Sequence, residues 1–397
     1  MIAAYTNSDQ KFYFKKACSI NDNVVVFLTL ENNIYYLRVY DKDFNLKSTT
    51  LLCNFSDEKD FYNQIEISRI SNNKFAVSKS KKNSFSSSSV LYYTNICYCY
   101  VYEIQEDFSL KEIVNYSTPT IYTGDTSLRS GVAGIADDKC ILFYSGYDTV
   151  TSNEDYLAYC NCVLITLKED GTYEVSKKYI VSNSSVFDPK LFSTGTYHLP
   201  QDTDRCGVLG YSYITSSSTS YRVFYILLKN GAITTRNKTA DTARYKRIYN
   251  STIFYNYKNN GYCLVCKDNS EGTLGRGDIV LKSNMPYGNY IPLDVKTQSA
   301  VYFTTFDNYC GRFNNGVDSG RLYSLESGDI PFILGDKIYI ARSERSSSSG
   351  EWLRSVIYQV PYDFYDSIIP YANKAIYGVA KTSAESKQNI EVFVPRT

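Results

Sequence analysis

One histidine, one tryptophan and two methionines in 397 residues set the first limits on what this chain can do. A histidine-based metal site or acid–base pair would have to be built on His198 alone, with no His–Cys or His–carboxylate cluster around it. No Gly-x-Ser-x-Gly elbow and no Gly-x-x-x-x-Gly-Lys phosphate loop occurs. The glycines of Gly272-Thr273-Leu274-Gly275-Arg276-Gly277 sit between two strand patterns and read as a hairpin loop. Charge of one sign is also lacking: Lys and Arg total 42 and Asp and Glu 41, so no basic field marks a nucleic-acid partner. No run approaches the ~18 apolar residues of a membrane span, so no insertion is expected. The first nine residues, Met1 to Asp9, turn polar at once without a charged n-region, and synthesis in a cytoplasm is expected. Convincing amphipathic helical periodicity is absent too, with Asp363 to Ala375 the one weak candidate.

Tyrosine is abundant, with 40 copies. Its ring covers a pleated, half-buried surface and its hydroxyl keeps a polar tip, so it serves strands first and recognition surfaces second. The 11 cysteines fall largely in strand patterns. Cys97 and Cys99, like Cys160 and Cys162, share a strand face, whereas Cys263 and Cys266 would point to opposite faces. Buried free thiols are the expected state, not a zinc site or a disulfide framework.

Internal repeats organise the rest. Asp43-Phe44-Asn45-Leu46-Lys47 matches Asp107-Phe108-Ser109-Leu110-Lys111, each after an alternating strand, and Tyr358 to Phe364 is a degenerate echo. A second recurring piece is an Asn/Asp/Gly turn leading into an apolar strand. It appears at Asn21-Asp22-Asn23, Asn72-Asn73, Asp137-Asp138, Asn259-Asn260-Gly261 and Gly335-Asp336, and more weakly at Asp204-Arg205-Cys206. Such residues tolerate the left-handed region and bond their own backbone. Lys168-Glu169-Asp170-Gly171 and Lys229-Asn230-Gly231 are hairpin signals of the same kind.

The unit reads turn, strand, variable loop, longer strand, short turn, strand. The apolar stretch before each turn, such as Gln64 to Ile70, supplies a fourth strand. Four-stranded units repeated in series predict an all-β β-propeller of six blades, within a range of five to seven, over residues 1–370. A C-terminal β-hairpin extension occupies 371–397. A pair of large β-sandwiches or an irregular solenoid is the alternative.

The loops between second and third strands open on one face of a propeller. They are placed at Ser78–Ser89, Ser145–Tyr156, Thr215–Tyr221, Lys267–Gly277 and Ser343–Glu351. Tyr147, Tyr156, Tyr221, Arg276, Arg345 and Trp352 are the candidate contact residues on them. No catalytic residue, cofactor or metal is assigned. Asp41-Lys42-Asp43 and Asp202-Thr203-Asp204 read as turn formers before they read as calcium ligands. The Asp-rich hairpin box of sialidase-type propellers is missing.

The C-terminal string Gly378-Val379-Ala380-Lys381-Thr382-Ser383, followed by Ile390-Glu391-Val392-Phe393-Val394-Pro395, resembles the ending of structural proteins from tailed bacteriophages and prophages of Gram-positive hosts. It departs at Ala384-Glu385-Ser386-Lys387, where those endings carry a glycine-rich step. The resemblance implies a non-enzymatic virion protein, assembled in the host cytoplasm, in the tail, baseplate, fibre or capsid surface. Other virion subunits or a host-surface glycan or protein would be its partners, and the virion would impose a symmetric oligomer. Ile376, Val379, Ile390, Val392 and Val394 would then anchor the hairpin on a neighbour, the alternative being a strand pair that closes the ring. A glycan-cleaving propeller enzyme is the competing function, since paired carboxylates can be mounted on this fold. A cellular scaffold is the third.

Overall fold

The computed structural model describes residues 2–54, 65–87, 90–123, 130–145 and 160–182, and the strands between 206 and 324 given below. It also describes residues 325–360 apart from 327 and 336, and two short strands at 379–380 and 392–393. All regular structure among these residues is β. Chain contacts divide the protein into Met1–Pro361 and Tyr362–Thr397.

In the first unit, β1 (Ile2–Asn7) precedes seven sheets taken up in chain order. The first holds β2 (Tyr13–Asn21), β3 (Val24–Glu31), β4 (Ile34–Asp41) and β5 (Leu46–Asn54). The second holds β6 (Glu66–Arg69), β7 (Lys74–Ser87), β8 (Val90–Ile104) and β9 (Leu110–Ser117), with β10 (Ile121–Thr123) beside β8. The third holds β11 (Ser130–Ala136), β12 (Lys139–Ser145), β13 (Cys160–Leu167) and β14 (Tyr173–Val175), with β15 (Tyr179–Ser182) also on β13. The fourth is β16 (Cys206–Ile214), β17 (Thr219–Lys229) and β18 (Ala232–Lys238). The fifth is β19 (Tyr255–Asn256), β20 (Gly261–Val265) and β21 (Asp278–Leu281), and its β20–β21 pair is parallel. The sixth is β22 (Gly288–Asp294), β23 (Ser299–Thr304), β24 (Tyr309–Asn314) and β25 (Val317–Ser324). The seventh is β26 (Ile330–Leu334), β27 (Lys337–Arg345) and β28 (Trp352–Gln359). In the second unit β29 (Val379–Ala380) pairs with β30 (Val392–Phe393).

This is a β-propeller, and four-stranded antiparallel meanders form its first, second, third, sixth and, with β1, seventh blades. Seven sheets among the described residues correct the expected six blades, at the top of the five-to-seven range. The first strands of the seventh, first, second and third sheets lie side by side, innermost: β2 packs beside both β26 and β6, and β6 beside β11. The seventh blade takes its fourth, outermost strand from the beginning of the chain, because β1 pairs antiparallel with β28. Ring closure among the described residues is therefore made by the N-terminal strand, and the C-terminal hairpin belongs to the other unit.

Blades stack face to face, so a blade strand is covered on both sides. That is why β3 reads Val-Val-Val-Phe-Leu, a continuous apolar run in place of an alternating one. Val24, Val26 and Leu28 pack towards the second blade with Phe75 and Val77. Val25 and Phe27 pack towards the seventh with Phe332, Tyr339 and Ile357. Cys97, Cys99 and Cys140 join Val101, Leu142 and Ile165 between the second and third blades. The cysteines described are free and buried. Burial pushes the Cys162 thiol up to about 12 and raises that of Cys97, which makes them packing groups and poor nucleophiles.

The repeated Asp-Phe-x-Leu-Lys string is the turn between third and fourth strands. Phe44 and Phe108 both have positive φ, 60° and 65°. Their N–H groups donate to the carbonyls of Asp41 (3.0 Å) and Gln105 (2.9 Å). The third blade builds the same hydrogen-bonded turn with Gly171, φ 82°, donating to Lys168 at 3.1 Å. This is a type I turn closed by one left-handed residue, where glycine is the usual choice. Phenylalanine stands there because its ring reaches the preceding blade: Phe44 packs edge-on against Tyr339 at 4.9 Å and against Phe332 at 6.2 Å.

Asp41 holds the first of these turns. Its carboxylate accepts from the backbone of Asp43 (3.0 Å) and Asn45 (2.9 Å) and pairs with Lys47 at 2.9 Å. Partial burial pushes its carboxyl up, and the bonds from Asn45, Lys47 and Asp43 outweigh that and bring it down to about 2. The folded pKa is depressed, so the stability it contributes is present above the ordinary value of 3.8 and is lost as pH falls towards 2. Asp41→Asn is expected to lose about 1–2 kcal/mol at neutral pH. In acid-titrated urea melts the gap from the parent should close between pH 4 and pH 2. A gap that persists unchanged at pH 2 would show that the charge plays no part.

Candidate functional site

In an antiparallel four-stranded meander, the start of the innermost strand and the connection between second and third strands lie at one end. The short repeated turns lie at the other. The repeated end is tied backbone to side chain: Asn21 Nδ2 donates to the Asn72 carbonyl at 2.7 Å, which links the turns of the first two blades. The variable end is where a site can be built without disturbing the repeat.

Strand β2 enters that end as Tyr13-Phe14-Lys15-Lys16, with its register against β3 shifted between Phe14 and Lys16. The bulge breaks the two-residue alternation. Phe14 turns into the core, and its N–H donates to Ser343 Oγ of the seventh blade at 3.0 Å. Lys15 stays exposed. Lys16 crosses to the innermost strand of the second blade, where its ammonium meets both carboxylate oxygens of Glu66 at 2.9 and 3.0 Å. Glu66 is thereby fixed at the start of β6, with its side chain 15% exposed.

From the other side, the seventh blade contributes the end of β27 and the start of β28, where Arg345 stands opposite Trp352. The Arg345 guanidinium lies 4.9 Å from the Tyr13 ring centre, and the Lys15 ammonium 5.8 Å from it. Loss of solvation first, and the positive charge of Arg345 second, lower the Lys15 pKa. Trp352 Nε1 donates to Ser355 Oγ at 3.2 Å, and that hydroxyl donates to the Phe12 carbonyl at 2.8 Å, so the indole is anchored to the segment leading into β2. The connection between β27 and β28 is a compact turn held by Gly350 N to Ser346 O at 2.9 Å, with Gly350 at φ 68°.

The neighbouring charges are committed to structure. Arg342 clamps Asp329 through Nε (2.8 Å) and Nη2 (2.7 Å) and reaches Glu326 at 3.0 Å. Glu344 takes Arg354 Nε at 2.6 Å and the Tyr358 hydroxyl. Arg38, 2% exposed, pairs with Glu31 and lies 4.3 Å from the Phe12 ring centre; Gln10 Nε2 donates to both Glu31 oxygens at 2.9 Å. The Asp41 carboxylate is taken up by its turn, and no group of three or more metal-binding side chains occurs among the described residues.

Of the residues singled out from sequence, the structure brings Arg345 and Trp352 together. Tyr221 lies on β17, where only the backbone is described, and Tyr147, Tyr156 and Arg276 lie outside the described residues. Val379 and Val392 fall in β29 and β30, while Ile376, Ile390 and Val394, like the weak helical candidate at 363–375, lie outside the described residues. The expected loop Ser78–Ser89 is corrected. Strand β7 runs through Ser87 and pairs residue by residue with β8, so backbone ladder bonds carry this polar stretch as a long hairpin. Tyr13, Lys15, Lys16 and Glu66 were missed, and the signal in β2 was a pair of lysines interrupting an otherwise alternating strand.

No family model matches the chain, and no curated protein sequence matches it. Solved structures with a similar course include an α-L-arabinanase of Penicillium chrysogenum complexed with arabinobiose. It is 9% identical, with 90% of this chain and 97% of that one covered and a TM-score of 0.42. The β-propeller domain of the Trilobed protease from Pyrococcus furiosus is 10% identical over 93% and 99%, with a TM-score of 0.42. The GH93 α-L-arabinofuranosidase of Fusarium graminearum is 10% identical over 90% and 96%, with a TM-score of 0.39. The expectation of a non-enzymatic virion component is corrected by these findings, which return an arabinanase, an arabinofuranosidase and the propeller domain of a protease and no support for a phage protein. The physical reason is that the C-terminal string encodes a short strand pair, β29 with β30, and a strand pair specifies local geometry without naming a partner.

Proposed function

We propose that the propeller binds and cleaves a glycan at its variable end, with Glu66 as one of the two carboxylates. The observation that carries this reading is the placement of Glu66 on an innermost strand, held by Lys16 from the adjacent blade. The aromatic surfaces of Tyr13 and Trp352 stand at the same end of the neighbouring blades. Glycoside hydrolysis needs a pair of carboxyl groups held rigidly on either side of the scissile bond. A carboxylate fixed by an inter-blade ion pair has the required rigidity. Aromatic faces supply apolar area for a sugar ring at little entropic cost.

The test is release of reducing ends from a polysaccharide panel, arabinan included, by the purified full chain. Turnover is expected, and Glu66→Gln should lower kcat by roughly a hundred-fold or more with the melting curve unchanged. Turnover that survives Glu66→Gln would remove Glu66 from the chemistry. Binding without reducing-end release on any member of the panel would overturn cleavage as the function.

A further inference from the structure

We propose that Lys15 and Arg345, at the Tyr13 ring, form a subsite for the carboxylate of an acidic sugar residue. The inference rests on the reading of this end as the glycan-handling face and names the substrate class it selects. Five other cationic side chains of the first and seventh blades are paired with anions, Lys16 with Glu66, Arg38 with Glu31, Lys47 with Asp41, Arg342 with Asp329 and Arg354 with Glu344, while Lys42 and Lys337 stand exposed at the opposite, repeated-turn end. Lys15 and Arg345 have no ion pair among the described residues. They face the same ring at 5.8 and 4.9 Å, close enough for the charge of Arg345 to depress ionisation of Lys15.

Two like charges brought together by ring closure repel, and a single anion between them converts that repulsion into two attractions. Arginine offers a carboxylate a planar fork, and lysine adds a point charge from the other side. The Tyr13 ring holds both cations at one place, where a single carboxylate can reach them together. A sugar acid engages both cations at once, whereas a neutral sugar offers them no charge. Trp352 stands opposite Arg345 on the same strand pair, an aromatic side chain beside the cations against which a sugar ring can pack.

The experiment is calorimetric titration of the full chain with a galacturonic-acid oligomer, with its methyl-esterified form, and with sodium sulfate. The acid form is expected to bind at least ten-fold more tightly than the ester, and more weakly as salt rises. Lys15→Met and Arg345→Met should each remove most of that preference, and Arg345→Lys should restore part of it. Equal affinity for acid and ester, or a preference untouched in Lys15→Met/Arg345→Met with the melting curve unchanged, overturns the inference. Sulfate displacing the oligomer at equal concentration also overturns it, in favour of a general anion site. Glu66→Gln separates the two readings. Acid preference retained without any turnover in the parent leaves the subsite standing and removes cleavage. Turnover that depends on Glu66 but not on Lys15 or Arg345 does the reverse.

Discussion

Gly134→Ala is expected to destabilise the protein by about 3 kcal/mol or more, with the loss concentrated between the second and third blades. Gly134 sits in the innermost strand β11, and its N–H donates to Ser68 Oγ of β6 at 3.1 Å. A Cβ at this position would lie 2.0 Å from the Arg69 carbonyl oxygen and 2.7 Å from Ile70 Cα. Both obstacles are backbone, so no side-chain rotation relieves them and the strands have to separate. Separation opens the cluster in which Ile70, Val132, Ala76 and Cys140 are packed. Equilibrium urea unfolding measures the loss, and hydrogen exchange locates it. The control is Ser68→Ala, which removes the hydrogen bond without touching the backbone spacing and should cost about 1 kcal/mol. A Gly134→Ala midpoint equal to that of the parent would mean that the two inner strands do not approach so closely.

Phe44 yields a second large effect with an unusual ordering. Phe44→Ala should lose about 3–4 kcal/mol, because the ring is 4% exposed and fills the junction with Phe332 and Tyr339. Phe44→Gly should be the milder substitution by about 1 kcal/mol, since the left-handed backbone suits glycine and strains alanine. The same exchange in an ordinary strand would have the opposite order. Phe108→Gly should be nearly neutral, because Phe108 is only partly buried at its junction, where Lys47 lies 5.5 Å from its ring centre. Chemical denaturation of the parent and the three variants reads the order directly. A lower midpoint for Phe44→Gly than for Phe44→Ala would contradict the turn geometry.

Much of the architecture was legible because propeller blades are built from local pairings. Asn-Asp-Asn at 21–23 and the Asp-Phe-x-Leu-Lys strings are short-range turn signals, and each fell between the strands it announced. Two features escaped for physical reasons. Lys-Ser-Lys-Lys-Asn-Ser-Phe-Ser-Ser over 79–87 carries no apolar alternation, and a hairpin stabilised by its own ladder has no need of one. The site escaped because it is non-local. Arg345 and Trp352 are near neighbours in sequence and could be picked out together. Tyr13 meets Arg345, and Lys16 meets Glu66, only when strands from opposite ends of the unit and from adjacent blades are set side by side.

The pairing of β1 with β28 has a temporal consequence. Strand β1 is synthesised long before its partner and pairs only after residues 352–359 have emerged, so the seventh blade is assembled from the two extremes of the unit. Until then β1 has an unpaired edge, and the aromatic cluster of Phe12, Phe27, Phe44 and Tyr339 lacks one wall. The middle blades can form during synthesis as local hairpins, but the ring becomes a single cooperative body in one late, long-range step. Because Tyr13 and Lys15 stand just beyond β1, and Arg345 and Trp352 just before or within β28, the groups of the variable end come together in that same step.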